Sequence, residues 1–541
     1  MSEKKNTFFG GVAILMAGTL IVKIIGAFFK IPLANILGEE GNGYFMSAYN
    51  IYSVLLTVST GGLPAALSMS VAEAHALGRV NQERRVFWVG LVSFFTLGLA
   101  STLIMTFGAG AITNFQHNSG AYYAALILAP SVFCVCSVSA FRGYAQGQGD
   151  MVPTTISQII EALSKLVIGL ACAQLFLTYA SRLSASIPFF SQAQPLQLAA
   201  AGAIFGVTVG TVLSFVYMIF SHIRRWSRDK RTSSDSPQSF GGILKTLARI
   251  AIPITIGSSV VPIVNFLDSS IIQSRLQTAL LFTEREASSL YGNYSAVNNL
   301  YALPSALMVP FTAALIPAVS AAIARKDSKE VVKVTGSAMR VAMMLACPMG
   351  FGLAALSTPI VRLIYPAYRA EVAGPSLMIL GITSIFTCVM LLCNTILQTS
   401  GFVNLPILVM LVGGTLKIIV NYLLVAIPQI HVVGAAVGTL CCFGSAALID
   451  LVLLRRCLPA PPNYRKIFLK PVLASALMGL AAWAIQGLLS HIFGNTISTF
   501  CGVLVGVLVY LVLIFALKVL SPDDLALMPK GDKIAKILKI Q

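Results

Sequence analysis

The segment FRGYAQGQGDMVPTTISQIIEALSKLVIG occupies residues 141–169 and joins a polar turn to an apolar run that contains Lys165. A related segment, QTSGFVNLPILVMLVGGTLK, occupies residues 398–417 and joins a similar turn to an apolar run that contains Lys417. Three pairs of residues are separated by the same 252 positions: Gln146 and Gln398, Gly149 and Gly401, and Lys165 and Lys417. This repeated spacing predicts two copies of one helical bundle, an arrangement typical of transporters that work by alternating access.

The composition around these segments is that of an integral membrane protein. Of the 541 residues, 57% are hydrophobic and only 10% are charged, whereas soluble domains have about 25% charged residues. So few charges cannot cover a solvated surface, which excludes a soluble enzyme, a DNA-binding protein and a disordered regulator. The net charge of +18 then reflects the Lys and Arg that polytopic proteins retain on the cytoplasmic side, and no nucleic-acid partner is expected.

Apolar windows of about 20 residues, the length that crosses a bilayer, predict an all-α polytopic membrane protein with about 14 transmembrane helices. The windows lie at 9–36, 43–72, 87–111, 121–141, 153–179, 199–222, 250–274, 288–322, 336–361, 374–398, 405–427, 432–454, 467–490 and 496–517. The predicted domains are a six-helix lobe at 1–222, a cytoplasmic basic linker at 223–246, a second six-helix lobe at 247–457, two additional transmembrane helices at 458–520 and a basic cytoplasmic tail at 521–541.

The distribution of basic residues among the predicted loops sets the expected orientation. With the N-terminus inside, 28 of the 37 Lys and Arg fall in inside segments and five in outside loops. The positive-inside rule therefore predicts that both termini are cytoplasmic. Four lysines belong to neither set, because each lies well inside an apolar window: Lys23, Lys30, Lys165 and Lys417.

These four lysines are the main functional candidates. A lysine at the bilayer centre costs about 2.5–3.5 kcal/mol, so each one needs a partner or water. Glu161 lies one turn before Lys165 and is a ready partner, although such a pair could serve helix packing alone. Lys30 could instead extend its amine to the outer interface. We expect the four lysines to form a cationic cavity that binds an anionic substrate.

Acids and amides inside the windows suggest a place for a coupling ion. Asp268 lies mid-window with Asn265 one turn earlier, and Asn394 and Gln398 share a helix face. Oxygen ligands of this kind suit a Na⁺ ion at Asp268, or a proton, but Asp268 could instead neutralise one of the lysines. Glu73 and Asp450 lie nearer helix ends and are expected to be solvated or structural. Further amides predicted to line a polar cavity are Asn298, Asn299 and Asn421.

Signatures of catalysis are missing from the sequence. It has no Gly-Lys-Ser/Thr phosphate-binding loop, its five histidines lack metal-ligand spacing, and its ten cysteines lie in or beside apolar runs without framework spacing. We therefore expect no enzymatic activity, no catalytic residue and no cofactor other than a coupling Na⁺ or H⁺.

Three segments carry a family resemblance. GAFFKIPLANILGEEGNGYF at 26–45, LLTVSTGGLPAALS at 55–68 and FRGYAQGQGDMVPTTISQIIE at 141–161 resemble the MurJ and stage V sporulation protein B branch of the multidrug/oligosaccharidyl-lipid/polysaccharide exporter superfamily. The resemblance covers nearly the whole chain. It implies a V-shaped, MATE-like pair of six-helix lobes followed by two helices.

The resemblance also implies a cargo and a site. The family flips lipid II, the undecaprenyl-diphosphate-linked precursor of the peptidoglycan cell wall, through a cationic cavity. Lys23 stands where the family has a basic residue in its first helix, but the further arginines of the first two helices are not matched here. The family's sodium site maps onto Asp268, Asn394 and Gln398.

The expected function is therefore export of lipid II to the outer leaflet of the bacterial cell membrane by alternating access. A flippase for another lipid-linked polysaccharide and a cation-coupled multidrug exporter are the alternatives. A drug exporter for cations should have a cavity rich in acids, whereas the deep charges here are mostly lysines. The expected partners are the lipid-linked oligosaccharide, membrane lipids and the cell-wall synthesis machinery, and the protein is expected to be a monomer. The sequence leaves open whether it acts in vegetative growth or in sporulation.

Overall fold

The computed structural model describes residues 2–325, 328–458 and 463–517. Within these ranges every regular element is a helix, which confirms the predicted all-α class. The α-helices are α1 (Ser2–Thr60), α2 (Leu63–Ala76), α3 (Val80–Phe115), α4 (Tyr122–Gly147), α5 (Val152–Ser164), α6 (Leu170–Thr178), α7 (Ala180–Ser186), α8 (Pro195–Trp226), α9 (Phe240–Thr278), α10 (Glu284–Ala324), α11 (Ser328–Ala355), α12 (Ser357–Ile364), α13 (Ala370–Thr399), α14 (Leu405–Leu424), α15 (Val433–Cys457) and α16 (Tyr464–Ala516). The predicted basic tail at 521–541 lies outside the described residues.

Eleven helical stretches in the described part of the chain are long and apolar enough to cross a membrane. The chain is therefore a multi-pass membrane protein, while the exact number of fourteen crossings stays a prediction. The predicted windows imply short loops at 37–42 and 491–495, but both ranges lie inside continuous helices. In their place α1 bends at Gly38 (φ 63°) and α16 bends at Gly494 (φ 72°). A positive φ is open to glycine without a steric penalty, so a single residue redirects each helix.

The chain divides into two compact units, Met1–Gly292 and Asn293–Gln541. Fully buried side chains from five helices form the core of the first unit: Leu37, Leu67, Phe87, Leu128 and Ile204. Helix α9 belongs to this unit, whereas the predicted division at 223–246 assigns it to the second lobe. Hydrogen bonds anchor it there, from Gln116 Nε2 to Ser269 Oγ (3.2 Å) and from Gln273 Nε2 to Ser47 Oγ (2.9 Å).

The core of the second unit is built by α11, α13 and α15 and includes the buried Cys347, Cys393 and Cys442. All ten cysteines of the chain are free thiols, and six of them are buried. The long helix α16 packs on α11, where the Tyr510 hydroxyl group donates to the carbonyl oxygen of Met344 (2.7 Å).

The predicted linker is shorter than 223–246, because α8 continues to Trp226 and α9 begins at Phe240. The remaining segment is tied to the start of α3. The Asp235 carboxylate accepts hydrogen bonds from the backbone N–H groups of Asn81 (3.0 Å) and Gln82 (2.8 Å). Arg231 pairs with the buried Glu83 (3.1 Å), and its hydrogen bond to Asp229 lowers the pKa of that carboxyl to about 2. Residues 227–239 thus form an ordered strap on the first unit. The Asp229 carboxylate within this strap is ionised at neutral pH.

Candidate functional site

A cavity of about 590 Å³ lies within the first unit. Helix α1 supplies Lys23 and Lys30 to its wall, α4 supplies Arg142, and the α5 segment supplies Glu161 together with the adjoining Lys165. Thus three of the four predicted lysines line one cavity, and the predicted polar residue Asn265 of α9 also lines it. Among the described residues, the cavity wall therefore carries four cationic side chains and a single carboxylate.

Glu161 is the centre of the charged group. Its Oε1 atom lies 2.7 Å from Lys165 Nζ, and its Oε2 atom lies 3.4 Å from Arg142 Nη2. The three side chains are only 14–21% exposed. The predicted i,i+4 pair between Glu161 and Lys165 is present, and a second cation shares its carboxylate. One negative charge between two positive charges leaves the group with a net charge of +1.

Arg142 is the charged cavity residue that was not predicted from the sequence. The apolar window that predicts its helix ends at 141. The count of basic residues used for the orientation therefore assigns Arg142 to an inside loop. That assignment is wrong, because α4 continues to Gly147 and directs the guanidinium group into the unit. Arg142 Nε donates to Ser157 Oγ (2.8 Å) and Nη2 donates to Ser214 Oγ (3.3 Å). The available signal was the presence of polar side chains inside neighbouring apolar windows, Ser157 and Glu161 in one and Ser214 in the next.

Lys23 and Lys30 differ from Lys165 in their surroundings. Both side chains are exposed to the cavity, and within the described part of the chain neither forms a salt bridge. Lys30 also lies within electrostatic range of Lys165, a like charge. Their amines are therefore available to an anion that enters the cavity.

The backbone at Lys165 is unusual. Helix α5 ends at Ser164, and a π-helical turn spans Lys165–Gly169 before α6 begins. Turns of this type are rare and occur frequently at functional sites. Gly169 of this turn packs directly against Gly206 of α8, where a Cβ atom would overlap the Gly169 backbone. The glycine at 206 therefore permits the close packing that holds the end of the π-turn, four residues after Lys165, against α8.

Lys417 lies in the second unit, on α14, and does not line this cavity. Its side chain is buried, and Asn421 on the same helix is fully buried. Asn421 packs against α15 so tightly that a Cβ atom at Gly438 would overlap its Oδ1 atom. The role of Lys417 in substrate binding stays a prediction.

The residues predicted to hold a coupling ion are divided between the units. Asp268 is buried in the first unit, and Asn265, one turn earlier, is exposed at the cavity. In the second unit Asn394 is half-buried and Gln398 is exposed. Across the described residues, no cluster of three or more His, Cys, Asp or Glu side chains could hold a metal ion. A shared Na⁺ site at Asp268, Asn394 and Gln398 therefore stays a prediction, as do the polar roles of Asn298 and Asn299, which are half-buried on α10.

Asp450 is the last acid to place. Of the two expectations for it, solvated or structural, its full burial on α15 excludes the first. In the described part of the chain neither of its carboxyl oxygens has a hydrogen-bond partner. An unsatisfied buried polar group costs about 1–3 kcal/mol. Its burial depends on the packing of α13 against α15, which no local sequence pattern indicates.

Comparisons with known proteins agree with this architecture. The family described as "Polysaccharide biosynthesis protein" matches residues 8–322, and the family "MatE" matches residues 287–423. Stage V sporulation protein B of Bacillus subtilis (strain 168) is 22% identical over 528 residues, which cover 97% of this chain and 98% of that protein. Lipid II flippase MurJ of the same organism is 22% identical over 507 residues, which cover 88% of each.

A solved structure shows the same fold. "Lipid II flippase MurJ, inward closed conformation" superposes with a TM-score of 0.66 at 15% sequence identity, and the match covers 93% of this chain and 98% of that chain. The likeness at this identity concerns the fold, and it confirms the MATE-like, MurJ-like architecture expected from the sequence.

Proposed function

The chain belongs to the polysaccharide biosynthesis protein family, and on this basis we propose that it is a flippase for a lipid-linked saccharide precursor. We propose further that the cargo is lipid II and that it moves from the cytoplasmic to the outer leaflet of a bacterial cell membrane. The similarity to stage V sporulation protein B and to a lipid II flippase supports the class of transporter. The choice of lipid II among undecaprenyl-diphosphate precursors is the finer part of the proposal.

The charge of the cavity is the observation that supports the proposal most strongly. Four cations, Lys23, Lys30, Lys165 and Arg142, face one carboxylate in about 590 Å³. Hydrogen bonds in which the donor or the acceptor is ionised are roughly twice as strong as neutral ones, and lysine amines bind phosphate as point charges. A diphosphate is the part of the proposed cargo that such a wall would bind. The saccharide would then occupy the wet space beside it, and the polyprenyl chain would stay in lipid.

Transport would follow from alternating exposure of the headgroup. A bound anion favours movement toward the positive outer side of the membrane, because one elementary charge in a potential of 100 mV corresponds to about 2.3 kcal/mol. The membrane potential can therefore drive the export of a negatively charged headgroup, with or without an ion bound near Asp268.

A multidrug exporter is the competing function, because the MatE family matches residues 287–423. A carrier of cationic drugs would need acids where this cavity has amines. The cavity charge therefore favours an anionic cargo over a cationic one. Rescue of a bacterial strain depleted of its own lipid II flippase tests the proposal, and rescue of only a teichoic-acid or capsule export defect would replace lipid II by another lipid-linked precursor.

The proposed orientation places both termini and the strap in the cytoplasm. In a cysteine-free background we expect Ser234→Cys to resist an impermeant maleimide added to intact cells, since Ser234 is exposed but would face the cytoplasm. Ser191→Cys, an equally exposed position before α8, should be labelled. The reverse pattern, with Ser234→Cys labelled and Ser191→Cys protected, would invert the orientation and the direction of transport.

The proposed coupling role of Asp268 predicts a separation of binding from transport. We expect Asp268→Asn to reduce flipping in proteoliposomes with a sodium or proton gradient, while binding of the lipid headgroup is retained. A cation bound beside the buried Asp268 carboxylate would favour its charged form, and the amide that Asp268→Asn introduces would remove that attraction. If Asp268 instead neutralises a lysine, the variant should lower folded yield. Equal flipping by Asp268→Asn, Glu73→Gln and the wild type with and without gradients would exclude ion coupling at this position.

A further inference from the structure

We propose that Glu161 is a built-in competitor for the anion site, which occupies Lys165 while the cavity is empty and yields it to the diphosphate of the cargo. This inference rests on the proposed function and adds a rule for how the same cavity loads and releases its cargo. It begins from the position of Glu161, which is the one carboxylate that the described residues place on the wall with the four cations.

The two cations around Glu161 are held unequally. Arg142 has three hydrogen-bond partners, Ser157, Ser214 and Glu161, and its contact with the carboxylate is the longest of the three at 3.4 Å. Within the described residues, Lys165 has one hydrogen bond, the 2.7 Å contact with Glu161 Oε1. Arg142 is therefore fixed by the surrounding helices, whereas the direction of the Lys165 amine depends on the carboxylate.

This asymmetry makes Lys165 the cation that can change partners. Its flexible side chain can move its amine toward an entering phosphate. Removing one member of a buried ion pair is strongly destabilising, because it leaves an uncompensated charge. Here Glu161 would keep Arg142 at its Oε2 atom when Lys165 leaves. The exchange therefore strands no charge, since Lys165 gains a phosphate oxygen and Glu161 retains a guanidinium group.

Lys23 and Lys30 complete the sequence of events. They have no salt bridge in the described part of the chain, so they are free to meet the diphosphate first. The diphosphate would then draw Lys165 away from Glu161, while repulsion between its phosphates and the carboxylate limits the affinity. A cavity with four uncompensated cations would hold the cargo more tightly and release it more slowly.

The test compares Glu161→Gln with Glu73→Gln, which removes one negative charge from an exposed position of the same unit outside the cavity. We expect Glu161→Gln to bind undecaprenyl diphosphate about tenfold more tightly, the change that corresponds to about 1.4 kcal/mol, and to flip it more slowly. Glu73→Gln should match the wild type in both measurements. Binding is measured by native mass spectrometry, and flipping in proteoliposomes.

Lys165→Gln keeps the inference testable if Glu161→Gln does not fold. This variant should weaken binding of undecaprenyl diphosphate about tenfold. In the double variant, Lys165→Gln should cancel the tighter binding that Glu161→Gln produces alone. Weaker or unchanged binding by folded Glu161→Gln, or unchanged binding by Lys165→Gln, would overturn the inference while the proposed function stands. A wild-type protein that binds no undecaprenyl diphosphate would instead overturn the proposed function.

Discussion

Simultaneous replacement of Lys23 and Lys30 by glutamine is expected to abolish rescue of a flippase-depleted strain. Hydrogen bonds that involve a charged group contribute about 1.5–3 kcal/mol each, so the loss of two amines should weaken diphosphate binding by on the order of 10²–10⁴-fold. Neither lysine forms a salt bridge in the described residues, so the change strands no carboxylate and the folded yield should be retained. Binding of undecaprenyl diphosphate and growth of the depleted strain measure the effect.

A charge-preserving variant separates charge from shape. Lys23→Arg with Lys30→Arg should retain most of the binding, because arginine also donates to phosphate oxygens. Normal growth of the double glutamine variant at native expression would contradict the cationic-cavity account. Failure of both double variants to reach the membrane would assign these lysines a structural role.

The second large effect concerns the packing beneath Lys165. Gly206→Leu is expected to abolish folding, because its Cβ atom would overlap the backbone of Gly169 in the π-turn and three further carbon atoms would have to fit at the same contact. The nearest atoms belong to the backbone of Ile168 and Gly169, so no side-chain rotation can relieve the overlap. Overpacking of a tight contact typically costs about 1–3 kcal/mol or more. Gly206→Ala should still fold with a lowered melting temperature and a weakened affinity for undecaprenyl diphosphate. Fluorescence size-exclusion chromatography and a thermal melt in detergent measure both variants.

Gly444→Ala is the matched control for this prediction. Gly444 also lies inside a long helix, but a Cβ atom there would meet no atom within 4 Å. Alanine is favoured over glycine in a helix interior by roughly 0.5–1 kcal/mol, so this variant should be neutral or slightly more stable. Equal stability of Gly206→Leu and Gly444→Ala would show that α8 does not depend on the close contact with the π-turn.

Features that depend on residues close in sequence were predictable. The i,i+4 pair of Glu161 and Lys165 follows from helix geometry, and the structure contains it. Lys23 and Lys30, two turns apart, line one cavity as their spacing indicates. The membrane location follows from composition, and the helical class follows from apolar windows of about 20 residues, the length at which a helix crosses the bilayer with its backbone hydrogen bonds satisfied internally.

Features that depend on tertiary packing were not predictable from the sequence. Arg142 was missed because hydropathy ends the helix at the first charge, whereas the fold extends α4 beyond it to Gly147. The burial of Asp450 likewise requires knowledge of which helix covers it. The bends at Gly38 and Gly494 replace predicted loops because a single positive φ can redirect a helix. Hydropathy carries no information about backbone φ, so it cannot distinguish such a bend from a loop.

Flipping of lipid II by the purified protein tests the central claim most directly. Fluorescent lipid II is reconstituted with the chain in proteoliposomes, and a membrane-impermeant reductant added outside reports the fraction that has reached the outer leaflet. The account predicts protein-dependent exposure of lipid II that is lost in the Lys23→Gln, Lys30→Gln double variant. Folded wild-type protein that moves a cationic dye but neither lipid II nor another undecaprenyl-diphosphate precursor would contradict it.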